Sequence, residues 1–230
     1  MQFMNFISFG ITGLAAAACI GVGFLSFVNN GLSRKSIWYA IAMISCAIWS
    51  FLMIAIPMDT YDKYVIALRF ITVAATVAML STAMMAMSFL KLSMKQFVLV
   101  FIVMAIPAVI MCVVALTIPS RFMLLDLYWV GDQMYLDANI NYLLLAVMQY
   151  MYIIPIMSAL AKAHRQATTE IGKKLTKRVL IGWIFGFCFP LIFNVILAGI
   201  HELHFFGPIG LLIACIMSYG MFSKHADDDL

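Results

Sequence analysis

Charged residues make up only 10% of the chain, against about a quarter in an ordinary soluble domain. With hydrophobic residues at 65%, a water-soluble fold could not hide the apolar surface, and that class is excluded. The few charges avoid the apolar blocks. No Asp, Glu, Lys or His lies in the middle of any block, which removes the usual means of buried acid–base or nucleophilic chemistry and of proton- or ion-coupled pumping. The last block has no lysine for a retinal Schiff base and the third no carboxylate counter-ion, so light sensing is set aside. No phosphate-cradling motif occurs outside the blocks. All five cysteines (Cys19, Cys46, Cys112, Cys188 and Cys215) fall inside the blocks without a CxxC pair. They are expected to behave as small apolar residues, not as a disulfide framework or a thiolate metal site. No Lys or Arg precedes Arg34, so the first block lacks the charged leader of a cleavable signal peptide and is expected to be a span. From this inventory no catalytic residue, cofactor or metal is expected.

What is present is a succession of apolar runs of about 20 residues, the length that crosses roughly 30 Å of hydrocarbon at about 1.5 Å per residue. They fall at about 6–28, 37–56, 64–90, 97–118, 139–161, 179–200 and 205–222. The runs are uninterrupted rather than alternating, so they predict helices and not barrel strands. The expected fold is all-α: an integral membrane bundle of seven transmembrane helices, one domain over residues 1–230. Only the connection from 118 to 139 has room for structure of its own.

Orientation follows from the basic residues, because short cytoplasmic loops retain Lys and Arg. With the N-terminus outside, eleven of the 14 lie on the cytoplasmic side: Arg34, Lys35, Lys91, Lys95, Lys162, Arg165, Lys173, Lys174, Lys177, Arg178 and Lys224. Lys63, Arg69 and Arg121 remain outside, with most of the acids. The formal charge of +4 is thus a topology signal and not a nucleic-acid one. The stretch from Lys162 to Arg178 reads as a basic connection drawn to anionic headgroups. The expected location is the inner (plasma) membrane, with the lipid bilayer as the first partner.

Polar residues within the spans are few, and each has two readings. Arg69, about five residues into the third span, either snorkels outward or pairs with an outer carboxylate, or else meets a ligand's charge. Gln149 and Asn194 carry amides that are costly in a membrane unless hydrogen-bonded, either between helices or to a ligand. Pro107, Pro155 and Pro190 each break one backbone hydrogen bond within a span and allow a kink or a cavity. Gly182 and Gly186 form a GxxxG step, read as packing within the bundle more than as a dimer face, with a homodimer left open. Met217 and Met221 have MxxxM spacing, and Met84, Met85 and Met87 cluster; flexible core filler is their expected role, ahead of copper binding. His201 and His204, with Glu202, read as interface residues. The fourth connection, FMLLDLYWVGDQMYLDANINY from Phe122 to Tyr142, mixes aromatics and acids. Tyr128, Trp129 and Tyr135 form either an interfacial belt or a lid over an outward-facing cavity, with Asp126, Asp132 or Asn141 supplying orientation.

Three stretches, taken in order, bring a family into view: SRKSIWYAIAMISCAIWSFLMIAI (Ser33 to Ile56), ALRFITVAATVAMLSTAMMAMSFLKLS (Ala67 to Ser93) and FGFCFPLIFNVILAGIHELHFFGPIGLLIACIMSYGMFSKHADD (Phe185 to Asp228). A basic turn before a tryptophan-bearing helix, an arginine-headed third helix, and a proline in the sixth followed by GPIG resemble the N-terminal seven-helix sensor region of bacterial histidine kinases. The resemblance covers nearly the whole chain and is carried by the order of the stretches. In that family the seventh helix runs into a cytoplasmic effector. This sequence ends in HADDDL at Leu230, so kinase activity is expected to be absent from this polypeptide, with the signal passing either to a separate protein, such as a cytoplasmic kinase of a two-component system, or to an effector lost from this chain.

The resemblance implies a non-enzymatic receptor that senses a small apolar or amphiphilic molecule and passes a conformational signal inward. The expected ligand site is an outward-facing cavity between the third, fifth and sixth spans, with Arg69, Tyr128, Trp129, Asn141, Gln149 and Asn194 around it. The alternatives are a small-molecule permease or an accessory membrane subunit. A permease built from repeats would show the first three spans echoed in the last three, with interrupted helices at matching positions. Neither is seen in the sequence.

Overall fold

A computed structural model of the chain describes residues 2–55, 60–130, 133–196 and 207–219. Helix α1 (Gln2–Asn30) ends at Gly31, whose φ of 57° suits a residue without a Cβ. The Gly31 N–H closes on the Phe27 carbonyl at 2.9 Å, and α2 (Arg34–Ala55) follows at once. Helix α3 (Tyr61–Ser88) then leads to α4 (Met94–Thr117), which opens on a capping box. There Ser93 Oγ accepts from the Gln96 N–H, and Gln96 Oε1 accepts from the Ser93 N–H.

The connection expected to have structure of its own has it. A short 3-10 turn (Ser120–Phe122) precedes an antiparallel hairpin of β1 (Leu124–Val130) and β2 (Gln133–Ala138). This pair departs from the all-α expectation, in a segment whose Tyr, Trp and Val residues suit a pleated surface. The remaining elements are α5 (Ile140–Tyr150), α6 (Ile153–Gln166), α7 (Glu170–Pro190) running into a π-helical turn (Leu191–Ile196), and α8 (Gly207–Tyr219).

Six helical stretches are long and apolar enough to cross a membrane: Phe9–Asn30, Arg34–Met53, Tyr61–Ser88, Met94–Thr117, Ile140–Gln166 and Glu170–Phe193. Helix α8 is apolar but shorter. The packing is that of a multi-pass membrane protein. Helix α3 buries small residues such as Ala67, Ala74, Ala78 and Ala83, whereas Val103, Val109 and Ile110 of α4 are exposed. Lipid tails are as apolar as these side chains, so helices associate through close packing and internal hydrogen bonds. Three buried hydroxyls of α3 are satisfied locally: Thr72, Thr76 and Thr82 donate to carbonyls one turn back at 2.7–2.8 Å.

Two boundaries differ from the sequence expectation for identifiable reasons. The fifth span is broken at Met151 and Tyr152. Pro155 has no N–H to offer the Met151 carbonyl, and its ring crowds that carbonyl. The basic connection from Lys162 to Arg178 is largely helix: α6 runs to Gln166 and α7 starts at Glu170. Thr169 caps α7 by accepting from the Gly172 N–H at 2.9 Å, so the lysines and arginines ride on helix ends. Other basic residues mark one end of the bundle. Arg34 lies 5.1 Å from the Phe97 ring centroid and Lys35 lies 5.5 Å from that of Phe89, bringing the α1–α2 and α3–α4 turns together.

Helix α8 is seated among α1, α2 and α7. Tyr39 and Ser218 share a hydrogen bond of 2.7 Å, and Cys19 and Cys215 sulfurs lie 3.3 Å apart. A Cβ built on Gly182 would stand 2.7 Å from the Met217 Cβ, and one on Gly186 3.1 Å from the Ala214 Cβ. The GxxxG step is therefore used against α8 inside the bundle. His201, Glu202, His204, Met221 and Lys224 lie outside the described residues.

Candidate functional site

A cavity of about 90 Å³ lies among α2, α3, α5, α7 and α8. Small residues, Ala75 and Ala78 on α3 and Gly186 on α7, form part of its wall. Helix α7 contributes Trp183, Gly186, Phe187 and Pro190, whose i, i+3, i+4, i+7 spacing defines one face. The Trp183 and Phe187 rings are 5.3 Å apart between centroids. Trp49, Tyr142 and Tyr150 add further aromatic surface, and no Asp, Glu, Lys, Arg or His belongs to the described wall.

Both discontinuities of the bundle border this space. Pro190 lines it, and the helix continues beyond as the π-turn Leu191–Ile196. On α5, Gln149 and Tyr150 line it immediately before the break at Met151 and Tyr152. Proline accounts for each: Pro190 removes the partner of the Gly186 carbonyl as Pro155 does for Met151. π-segments of this kind occur frequently at functional sites.

Two residues of the wall carry a polar atom with unused capacity. Gln149 is 8% exposed and its Nε2 donates to the Thr72 carbonyl at 2.9 Å and to Thr76 Oγ1 at 2.8 Å. A donor facing a backbone carbonyl fixes the amide direction, which leaves Oε1 without a partner among the described residues. Trp183 is 1% exposed, and its indole N–H is buried with no partner in the described structure.

Of the residues expected around the site, Gln149 is the one found in the described wall. Arg69 is committed elsewhere: its guanidinium donates to the carbonyls of Ala115, Leu116 and Ile118. It thus caps the C-terminus of α4, where orphan carbonyls and the negative end of the helix dipole favour a cation. Asn141 donates to Asn139 Oδ1 at 2.9 Å, within the turn where Asn139 also donates to the Arg121 carbonyl and caps α5. Tyr128 is 47% exposed on β1, opposite Tyr135. Trp129 pairs with Met134 through the backbone, and Asn194 sits on the π-turn; their side chains lie outside the described residues.

The hairpin is rooted on the end of α3 and contributes no described residue to the cavity wall. Tyr61 donates to the Leu124 carbonyl at 2.6 Å, and Met123 and Leu124 are buried with Tyr64, Val65 and Leu68. Met84 and Met85 are fully buried in the core, as flexible filler would be. No group of three or more His, Cys, Asp or Glu residues is placed to hold a metal among the described residues. Sequence reasoning missed Trp49, Tyr142, Tyr150, Trp183 and Phe187. The available signal was on α7, where two aromatics four residues apart lie on the same face as the GxxxG step and the proline.

No family model matches the chain, and no curated protein matches it in sequence. The functional reading therefore rests on the bundle and its cavity.

Proposed function

We propose that the chain is a non-enzymatic sensor module of the inner membrane, with seven transmembrane helices, its N-terminus outside and its C-terminus in the cytoplasm. It binds a small apolar or amphiphilic molecule from the outer side and passes a conformational change to a cytoplasmic effector such as a separate kinase. The resemblance to histidine-kinase sensor regions suggests this reading. The observation that carries it is an aromatic, uncharged cavity bounded by the two helix discontinuities. A ligand that prefers one packing of α5 and α7 shifts a two-state equilibrium in proportion to its differential affinity. Helix α8 is the natural output, since it packs against α7 through Gly210 and reaches the far end of the bundle at Tyr219. The test is a thermal-shift screen of small neutral molecules against the protein in nanodiscs, followed by fluorescence from a label at Tyr219. Sensing requires a hit that both stabilises the protein and changes the label's signal; stabilisation with a silent label counts against it.

A permease is the second reading, favoured by the same two interruptions, because broken helices around a mid-membrane site are a transporter feature. They are neighbours in the chain rather than counterparts in two halves. Uptake of the screened hit into proteoliposomes would select this reading over sensing.

A further inference from the structure

Among the described residues, two unpartnered side-chain polar atoms are sealed from open space, Ser50 Oγ and Trp183 Nε1, and neither can meet a molecule in the cavity. Gln149 Oε1 differs from them: it too lacks a described partner, but it is not sealed. Its residue is 8% exposed and lines the cavity, so the oxygen opens onto that space. The amide cannot turn round. Thr76 Oγ1 gives its proton to the Thr72 carbonyl, so both groups facing Nε2 are acceptors, and a flipped amide would set oxygen against oxygen twice. Oε1 is therefore a fixed acceptor, and an acceptor among apolar walls is costly until a donor meets it.

The rest of the wall narrows the class of donor. Thr72 and Thr82 give their protons to backbone carbonyls, and the hydroxyls of Tyr142 and Tyr150 can donate or accept, so Gln149 sets the polarity. No ionic side chain of the described wall would compensate a formal charge, which in this setting would be strongly disfavoured. Trp49, Tyr142, Tyr150 and Phe187 supply aromatic contact area, and a space of about 90 Å³ limits the buried body to no more than about one ring. We infer that the cavity takes a neutral molecule with a small, flat apolar body and a hydroxyl or N–H that donates to Gln149 Oε1. Gln149 stands just before the break at Met151 and Tyr152, so the donor is held at the discontinuity of α5. This rests on the reading of the cavity as a ligand site.

The experiment uses single-ring probes on the full chain in nanodiscs, with affinities referred to each probe's concentration in the lipid of empty nanodiscs. Phenol carries the donor, toluene has nearly the same shape without it, benzonitrile has an acceptor only, and benzoate adds a charge. The wild-type protein should bind phenol about tenfold more tightly than toluene or benzonitrile and should not bind benzoate. In Gln149→Leu that preference should fall to about one, with toluene affinity changed less than about threefold. Phenol bound no better than toluene or benzonitrile by the wild type, binding of benzoate, or a phenol preference that survives Gln149→Leu would overturn the inference while leaving a ligand cavity. Binding of none of the probes would remove the cavity reading itself. The wild-type comparison decides the need for a donor even if the variant does not fold.

Discussion

Gln149 and Thr76 join α5 to α3 by a hydrogen bond of 2.8 Å, in which the amide nitrogen donates to the hydroxyl at the edge of the cavity. The same nitrogen also donates to the Thr72 carbonyl. Interhelical hydrogen bonds in membranes contribute about 0.6 kcal/mol on average and up to about 1.7. A double-mutant cycle of Gln149→Ala and Thr76→Val, followed by denaturation in mixed micelles, should return a coupling within that range. A coupling of zero would mean that the two side chains do not share a bond.

Arg69 should prove a structural residue. Arg69→Leu strips α4 of the cation that engages three of its terminal carbonyls, and hydrogen bonds from charged groups contribute about 1.5–3 kcal/mol. We expect a loss of that order, faster amide exchange at the end of α4, and unchanged binding of a ligand found by the thermal-shift screen. Lost binding at full stability would restore Arg69 as a ligand contact.

Six helices long and apolar enough to cross a membrane were legible in the sequence, because lipid imposes one length and one polarity on a crossing helix. The room for local structure between α4 and α5 was legible from length, but the hairpin was not, since its aromatics also fit an interfacial belt. Pro155 and Pro190 announced where helices would be disturbed. The form of the disturbance, a break in one span and a π-turn in the other, depends on neighbours that no local pattern encodes. Gln149 lies in the described wall of the cavity, whereas Arg69 and Asn141 do not. Both satisfy nearby backbone or side-chain groups, and a sequence shows a polar residue without showing what is already bonded to it.

Glycine substitutions should separate packing from helix propensity. A Cβ at Gly210 would run into the Phe185 carbonyl and stand 2.7 Å from the Phe189 Cβ, and a backbone carbonyl cannot rotate away. Gly210→Ala is therefore expected to cost about 1–3 kcal/mol as α7 and α8 are forced apart. At Gly13 nothing lies within 4 Å of the added atom, so Gly13→Ala should be neutral or stabilise α1 by about 0.5–1 kcal/mol. Equal effects at the two sites in thermal unfolding would refute the close α7–α8 seam.

Orientation is testable at the basic ends. Reporter fusions after Lys35, Lys95 and Lys174 should all report the cytoplasm, because eleven of the 14 Lys and Arg residues are assigned to that side. Lys174 is the sharpest site, since it lies in the densest basic segment, near the start of α7. An outward signal there would reverse the proposed topology.

The seating of α8 can be read through its thiol. Cys215 lies 3.3 Å from Cys19 on α1, while its S–H points to Met43 Sδ at 3.4 Å on α2. Such proximity is possible only if α8 is inserted beside α1 and α2. Diamide, a membrane-permeant azo compound, takes two electrons and two protons from a thiol pair as the disulfide forms and is itself reduced to the hydrazine. Because both sulfurs are buried, the reaction should be slow and limited by opening of the bundle. After treatment and denaturation, two of the five cysteines should be lost to maleimide labelling. Cys19→Ser and Cys215→Ser should each abolish that loss, and Cys112→Ser should not. Full labelling of the wild type after prolonged oxidation, or protection that survives Cys215→Ser, would show that α8 is not packed against α1 in the membrane.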